Sequence, residues 1–190
     1  MKTFTKFISP SLKKLTLMTC LLILVGCGIT GDKNTYTVKR VSDGDTLTAV
    51  NAKGEEIQVR FACIDAPEVP HSKADRETKN PVDQNQFKWG EKAYAKTQEL
   101  VKKGRDRVNL TQTDVDQYGR KVSEVRLPDG TFLQEVLLKE GLAMVYRPYL
   151  KKCPSREIME KAEAEAKKQK KGVWSDNKFV PAWQFRKEHK

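Results

Sequence analysis

The sequence predicts a mainly β fold with helices packed against it (α+β), and two observations lead to this prediction. First, three segments alternate apolar and polar residues and are separated by turn-forming Asp-Gly and Lys-Gly pairs, which is typical of strands joined in a meander. They cover 36–41, 46–50 and 57–64. Second, helical spacing from about Trp89 to Gly104 is followed by two more strand-like segments, at 107–113 and 120–127.

Three strands, a helix and two further strands are the order of a five-stranded Greek-key barrel of the OB type, with about three helices packed outside it. The later helices are expected at 132–140 and 155–171, each ended by a glycine, with a short strand at 142–146 between them. The polar stretch Val69–Gln86 contains two prolines and predicts a long exposed loop. The apolar segment 181–187 is expected to pack back on the barrel.

The first 26 residues are typical of an export signal rather than of the domain. They carry four lysines and no acidic residue, and their apolar run 15–25 is too short to span a bilayer comfortably. The run ends in Leu-Val-Gly before Cys27, which resembles the bacterial lipobox, where this thiol is acylated. An ordinary signal peptide with a chance cysteine and an uncleaved anchor are the alternatives. The lipobox reading predicts an exported protein, lipid-anchored to a bacterial membrane at the cell surface or the periplasmic face.

This reading divides the chain into four parts. They are a lipoprotein signal peptide (1–26), a tether (27–35), one domain (36–185) and a tail (186–190). The whole chain has 36 Lys and Arg against 25 Asp and Glu, a net charge of +11. An exported basic protein has anionic membranes, anionic glycans or nucleic acid as natural partners, although such a charge also serves solubility alone.

The cysteines indicate one disulfide. Of the four, Cys20 lies in the signal and Cys27 would carry lipid, which leaves Cys63 and Cys153 in an oxidising compartment. Two separate buried thiols are the alternative. The bridge would tie the third strand to the segment after Tyr146.

Polar side chains that can carry chemistry stand at turns and strand ends. Each group alone has a simple structural explanation, but together they form a plausible hydrolytic site. Two carboxylates on neighbouring strands can hold a hard cation such as Ca²⁺. Two arginines can each donate parallel hydrogen bonds to a phosphodiester, and a further carboxylate is free to activate water. The groups are Asp43-Gly44-Asp45-Thr46, Arg60, Asp65-Ala66-Pro67-Glu68 and Asp116-Gln117-Tyr118-Gly119-Arg120.

These segments, with Glu140-Gly141-Leu142-Ala143 and Gly172-Val173-Trp174, resemble the thermonuclease family of staphylococcal-nuclease-like OB-fold nucleases. The resemblance implies Ca²⁺ held by Asp45, Asp65 and the Ala66 carbonyl. It implies that Asp43 lies next to these ligands without binding the ion itself. It implies Arg60 and Arg120 on the scissile phosphate and Glu68 as general base. Tyr118 and Tyr146 are the implied substrate-binding residues.

The resemblance further implies that the protein is a monomeric Ca²⁺-dependent endonuclease that cleaves DNA and RNA, single-stranded or denatured substrates being favoured, and leaves 3′-phosphate ends. Two departures stand out. The segment between Glu68 and Trp89 is longer than in the family's best-known member, and Gln117 replaces a lysine near the substrate phosphate. A non-catalytic nucleic-acid-binding OB module and a surface lipoprotein that binds a partner through Val69–Gln86 are the competing interpretations.

Overall fold

The computed structural model describes residues 34–189. Its strands are β1 (Thr35–Val41), β2 (Thr46–Val50), β3 (Glu56–Phe61), β4 (Ile64–Asp65), β5 (Arg107–Val115), β6 (Lys121–Arg126) and β7 (Met144–Val145). Its α-helices are α1 (Lys73–Glu77), α2 (Pro81–Lys103), α3 (Leu133–Lys139), α4 (Arg156–Lys168) and α5 (Ala182–Glu188). Two 3₁₀ helices cover Arg147–Lys152 and Gly172–Ser175.

Five strands close into a barrel in the order β1-β2-β3-β6-β5, and β5 pairs back with β1. All pairs are antiparallel except β3 with β6. This order confirms the predicted five-stranded OB-type barrel. Alternate residues of the strands fill its interior, as a two-residue side-chain period requires. Among them Leu47, Val59, Phe61, Val108 and Val125 are almost completely buried.

The third strand is shorter than predicted. The apolar run 57–64 suggested one continuous strand, but β3 ends at Phe61. Cys63 has a positive φ of 61°, a conformation that breaks a strand. The chain then re-enters a second sheet, in which β4 pairs with β7. The break turns Asp65 away from the line of β3 and places it on the short β4.

The prediction of a long loop at Val69–Gln86 is wrong for most of its length. Ser72 and Asp75 form a capping box that begins α1. Asn80 caps α2 with its side chain, and Pro81 stands at the first helical position, where a missing N–H costs nothing. Proline and polar residues were therefore helix-start signals here rather than loop signals. Helix α2 begins eight residues before Trp89.

A close backbone contact at two glycines joins the end of α3 to the segment that follows α4. Gly141 ends α3 and Gly172 follows α4, both with positive φ. A Cβ on either would collide with the backbone of the other's segment, and the Val173 N–H donates to the Gly141 carbonyl at 2.9 Å. The segments 140–143 and 172–174, distant in sequence, therefore meet at this backbone contact.

Helix α5 runs to Glu188, so the expected boundary between domain and tail at 185/186 falls inside a helix. Thr35, assigned to the tether, belongs to β1. The predicted signal peptide and the candidate lipidation residue Cys27 lie outside the described residues. Within 34–189, none of the helices has the length and apolar character needed to cross a membrane.

Candidate active site

The β2–β3 register brings the first two candidate residues together. Thr46, at the start of β2, lies opposite Arg60 near the end of β3, so Asp45 reaches the arginine directly. The Phe61 N–H donates to the Asp45 carbonyl at 2.8 Å. The Asp45 N–H in turn donates to the Asp43 carboxylate at 2.9 Å. Asp43 therefore fixes the turn that carries Asp45.

Arg60 bridges two buried carboxylates. One of its terminal nitrogens donates to Asp45 Oδ1 and the other to Asp65 Oδ1. The side chains of Asp45 and Asp65 are 1% and 2% exposed, against 20% for Arg60. The Ala66 N–H also donates to Asp45 Oδ2, at 2.6 Å. A buried charge without a partner would be strongly destabilising, and this pairing removes that cost.

Glu68 is paired with an arginine that the sequence analysis did not select. Arg186, on α5, donates from one terminal nitrogen to Glu68 Oε1 and from the other to Asp65 Oδ2, the latter at 2.8 Å. The prediction of Glu68 as an unpaired carboxylate therefore does not hold in this structure. We call the alternating set Asp45, Arg60, Asp65, Arg186 and Glu68 the carboxylate–guanidinium cluster.

Helix α2 packs closely against the backbone segments that carry Glu68 and Asp45. Gly90 lies so close to Glu68 that an added Cβ would collide with the Glu68 carbonyl. A Cβ on Gly44 would lie 2.6 Å from the Ala93 Cβ. Gly44 has no positive φ, so this glycine is needed for close packing rather than for the turn conformation that the Asp-Gly pair suggested.

Arg120 and Tyr118 lie on the β5–β6 hairpin. Arg120 Nε donates to Asp116 Oδ2 at 2.7 Å, and the Arg120 and Tyr118 N–H groups both donate to Asp116 Oδ1 at 3.0 Å. The parallel β3–β6 register pairs Val122 with Arg60, so Arg120 precedes Arg60's partner by two positions. The Tyr118 ring is 73% exposed. Arg120 thus directly precedes β6, the strand that pairs with β3, and is held by Asp116.

An aromatic group lies beside the β4–β7 sheet. The Tyr146 ring lies 5.6 Å from the Tyr149 ring and 5.7 Å from the Trp183 ring, centroid to centroid. The Tyr146 N–H donates to the Cys63 carbonyl at 2.9 Å. Trp183 lies on α5, in the segment 181–187 that was expected to pack on the barrel. Neither Trp183 nor Arg186 was predicted as a site residue.

The structure contains the Cys63–Cys153 disulfide, with the two Cα atoms 6.5 Å apart. It joins the turn between β3 and β4 to the end of the 3₁₀ helix Arg147–Lys152. Both cysteines are buried. Cys63 stands two residues before Asp65, so the bridge constrains the backbone from which Asp65 projects.

The charges in the cluster perturb one another. Burial raises the pKa of Asp45 well above its ordinary value, although Arg60 and the Ala66 N–H favour the carboxylate. Burial opposes the charge of Arg60, but Asp45 and Asp65 outweigh it and raise its pKa. The same holds for Arg186, where burial is outweighed by Asp65 and Glu68. Both guanidiniums therefore keep their positive charge at neutral pH.

The donor set fits a hard divalent cation. Asp45 and Asp65 already converge on one positive group, the Arg60 guanidinium, and Ca²⁺ binds carboxylate and carbonyl oxygens together with water. Within residues 34–189 there is no metal-suited group of three or more His, Cys, Asp or Glu side chains. The two aspartates would therefore need the Ala66 carbonyl and water as additional ligands.

Comparison with known proteins agrees with this fold. The family model described as "Staphylococcal nuclease homologue" matches residues 58–176. The chain is 31% identical over 161 residues to a micrococcal nuclease of Shigella flexneri, covering 80% of each chain. It is 30% identical over 179 residues to an uncharacterized endonuclease of Haemophilus influenzae, covering 94% of this chain and 88% of the relative. It is 37% identical over 145 residues to the SPbeta prophage-derived endonuclease YokF of Bacillus subtilis, covering 76% of this chain and 45% of that relative. The chain belongs to the staphylococcal nuclease family.

Proposed function

We propose that the protein is a Ca²⁺-dependent nuclease that hydrolyses phosphodiester bonds of DNA and RNA and leaves 3′-phosphate ends. The observation that carries this proposal is the carboxylate–guanidinium cluster, in which two buried aspartates and the partly exposed Glu68 alternate with two arginines. Family membership and the nuclease and endonuclease names of the relatives support it.

Two arginines bind the phosphate in this proposal. Arg60 and Arg120 are each engaged with carboxylates in the structure, Arg60 with Asp45 and Asp65 and Arg120 with Asp116. On substrate binding they exchange these partners for oxygens of the scissile phosphate. A guanidinium suits this exchange because its planar fork matches phosphate geometry as well as carboxylate geometry.

Glu68 is the general base. Its carboxylate takes a proton from a water molecule as the water oxygen attacks phosphorus. The bond between phosphorus and the 5′ oxygen breaks, the leaving 5′ oxygen takes a proton from solvent water, and the phosphate stays on the 3′ side. Arg60 and Arg120 stabilise the charge that develops on the non-bridging oxygens in the transition state.

The residues that would hold Ca²⁺ are Asp45, Asp65 and the carbonyl of Ala66, with Asp43 fixing the turn before Asp45. Bound there, the ion would supply further positive charge beside the phosphoryl oxygens. Buried aspartates suit this purpose because their positions are set by the fold rather than by solvent.

The surface around the cluster suits unpaired bases. Tyr118 is exposed on the β5–β6 hairpin, and Tyr146, Tyr149 and Trp183 form the aromatic group beside the β4–β7 sheet. Stacking on aromatic rings needs accessible base faces and tolerates any base. Single-stranded or denatured nucleic acid is therefore the favoured substrate, with the excess of Lys and Arg over Asp and Glu attracting the phosphate backbone.

We further propose that the protein acts as a monomer, exported and anchored through lipid on Cys27. Supporting this are the basic and apolar segments before Cys27 and the disulfide, since such bonds persist in oxidising compartments.

The test is digestion of denatured DNA and of RNA by the purified protein, with Ca²⁺ and with a chelator, followed by end-group analysis. Ca²⁺-dependent cleavage with 3′-phosphate products is expected. Equal activity with chelator would refute the metal requirement. Nucleic-acid binding without cleavage in either condition would make the protein a non-catalytic binding module.

Arg120 provides a sharper version of this test. Arg120→Ala is expected to reduce turnover by about 10²–10³-fold, because a donor to the developing negative charge is lost. Arg107→Ala is the matched control, since Arg107 is an exposed strand arginine whose register partner, Thr37, lies near the start of β1, away from Asp43. Near-normal cleavage by Arg120→Ala would refute its assigned role.

A further inference from the structure

Helix α5 brings an additional arginine into the cluster from beyond the part of the chain that the family model matches. That match ends at residue 176, whereas Arg186 contacts both Asp65 and Glu68. We propose that Arg186 is a positioning residue that holds the general base Glu68 at a fixed place relative to the metal ligand Asp65. This inference rests on the proposed nuclease function.

Helix α5 is attached closely enough to place one side chain. Phe185 is 6% exposed, and its ring meets the Phe87 ring of α2 edge-on at 6.0 Å. His189 stacks on Phe185 and lies 2.9 Å from Asp83 Oδ1. Arg186 directly follows the anchoring Phe185, so the packing of Phe185 and His189 fixes the helix turn that carries it.

A second connection joins α5 to the backbone of Glu68. With its amide oriented to satisfy both partners, the buried Gln86 donates to the Val180 carbonyl at 3.0 Å and accepts from the Glu68 N–H at 3.3 Å. Val180 lies two residues before α5 begins. The main chain of Glu68 and the entry to α5 are thus held by one side chain.

The chemistry of the contact favours positioning. The planar guanidinium of Arg186 uses separate nitrogens for the two carboxylates, so it sets the separation between Asp65 and Glu68. The other ionisable side chain paired with Glu68 among the described residues is the exposed His71, at 4.0 Å. Without Arg186, Glu68 would lose the partner that orients it.

Arg186 and Arg60 bind different oxygens of Asp65, so the two arginines do not compete for one acceptor. Arg186 contacts Asp65 Oδ2 and Arg60 contacts Oδ1. Among residues 34–189, Arg186 forms no hydrogen bond or ion pair with Asp45, and its side chain is 40% exposed. Arg186 therefore adds to the Arg60–Asp65 pairing rather than replacing it, and it joins Asp65 to Glu68.

The test compares Arg186→Ala and Arg186→Lys with wild type on a labelled single-stranded DNA oligonucleotide in Ca²⁺, measuring kcat and KM separately. Lys187→Ala is the matched control, because Lys187 is an exposed neighbour on the same helix. Arg186→Ala is expected to lower kcat by about 10²-fold, as small misplacements of a catalytic group do, with KM nearly unchanged. Lysine should restore only part of the activity, since it cannot form the planar fork.

Added guanidinium ion at non-denaturing concentration is expected to recover part of the kcat of Arg186→Ala and none in Lys187→Ala, a result that a merely structural role would not produce. Melting curves check that each variant is folded at the assay temperature, and Arg186→Gln replaces the alanine variant if it is not. An unchanged or increased kcat, or a loss confined to KM, would overturn the inference. An inactive wild type would refute the proposed nuclease function and the inference with it.

Discussion

The Cys63–Cys153 disulfide is expected to supply a large part of the stability of the domain. The perturbation is its removal, either by reduction of the wild type or in the double variant Cys63→Ala/Cys153→Ala. The cysteines are 90 residues apart in sequence, and closing a loop of that size in the unfolded chain is worth about 4–5 kcal/mol in the chain-entropy account. Net stabilities of single domains are about 5–15 kcal/mol, so the loss should be easy to measure.

The assay is urea unfolding followed by tryptophan fluorescence, with oxidised wild type, reduced wild type and the double variant compared at one pH. A free-energy loss of about 3–5 kcal/mol is expected in both altered forms, seen as a fall of about 2 M in the urea midpoint for ordinary urea slopes. Reduced wild type separates the bond from the buried volume that alanine removes. A loss below about 1 kcal/mol, or free thiols at both Cys63 and Cys153 in the unfolded oxidised mature protein, would refute the reasoning.

Three further predictions concern the support of the site, its anchor and its acid stability. Gly90→Ala should cost about 1–3 kcal/mol in the free energy of unfolding and should lower cleavage, because the new methyl displaces the Glu68 carbonyl; an unchanged urea midpoint and activity would contradict this packing. Cys27→Ser should move the protein from the membrane to the soluble fraction and abolish acyl labelling, and retention in the membrane would count against the lipid anchor. The Trp89 indole donates to Asp176 at 3.0 Å and lowers the pKa of that carboxyl. The contact therefore stabilises the fold fully above the ordinary carboxyl pKa, and this stabilisation is lost as the pH falls through the lower pKa of the folded state. Asp176→Asn should make the free energy of unfolding less dependent on pH in this acid range, and an unaltered pH profile would contradict the prediction.

The barrel, and the pairing of Asp45 with Arg60, could be predicted because short sequence patterns determine the strands and turns that form them. Alternating strands and tight turns define β1 to β3, and neighbouring strands necessarily place Asp45 beside Arg60. The same locality explains the errors. A left-handed residue at Cys63 leaves no mark in a hydrophobic pattern, so β3 and β4 were merged. Asn80-Pro81 serves a helix start and a loop equally well, so the start of α2 was missed.

Arg186 could not be assigned to the cluster from the local sequence pattern alone. Its partners Asp65 and Glu68 lie more than a hundred positions away, and an arginine among the basic residues of a terminus looks like a solvated charge. The available signal was the adjacent Trp183-Gln184-Phe185, since an apolar segment that packs on the barrel also fixes the polar residue next to it. Tertiary docking of α5 decides which basic residue enters the cluster.

The most direct test of the central claim, that the carboxylate–guanidinium cluster hydrolyses phosphodiester bonds, is single-turnover cleavage of a 5′-labelled single-stranded DNA oligonucleotide by wild type and by Glu68→Gln. Glutamine keeps the size of the side chain but cannot accept the proton. Wild type is expected to cleave in Ca²⁺ to 3′-phosphate ends, and the variant to bind substrate and cleave about 10²–10⁴-fold more slowly. Equal rates for the two proteins, or products without a 3′-phosphate, would contradict the account.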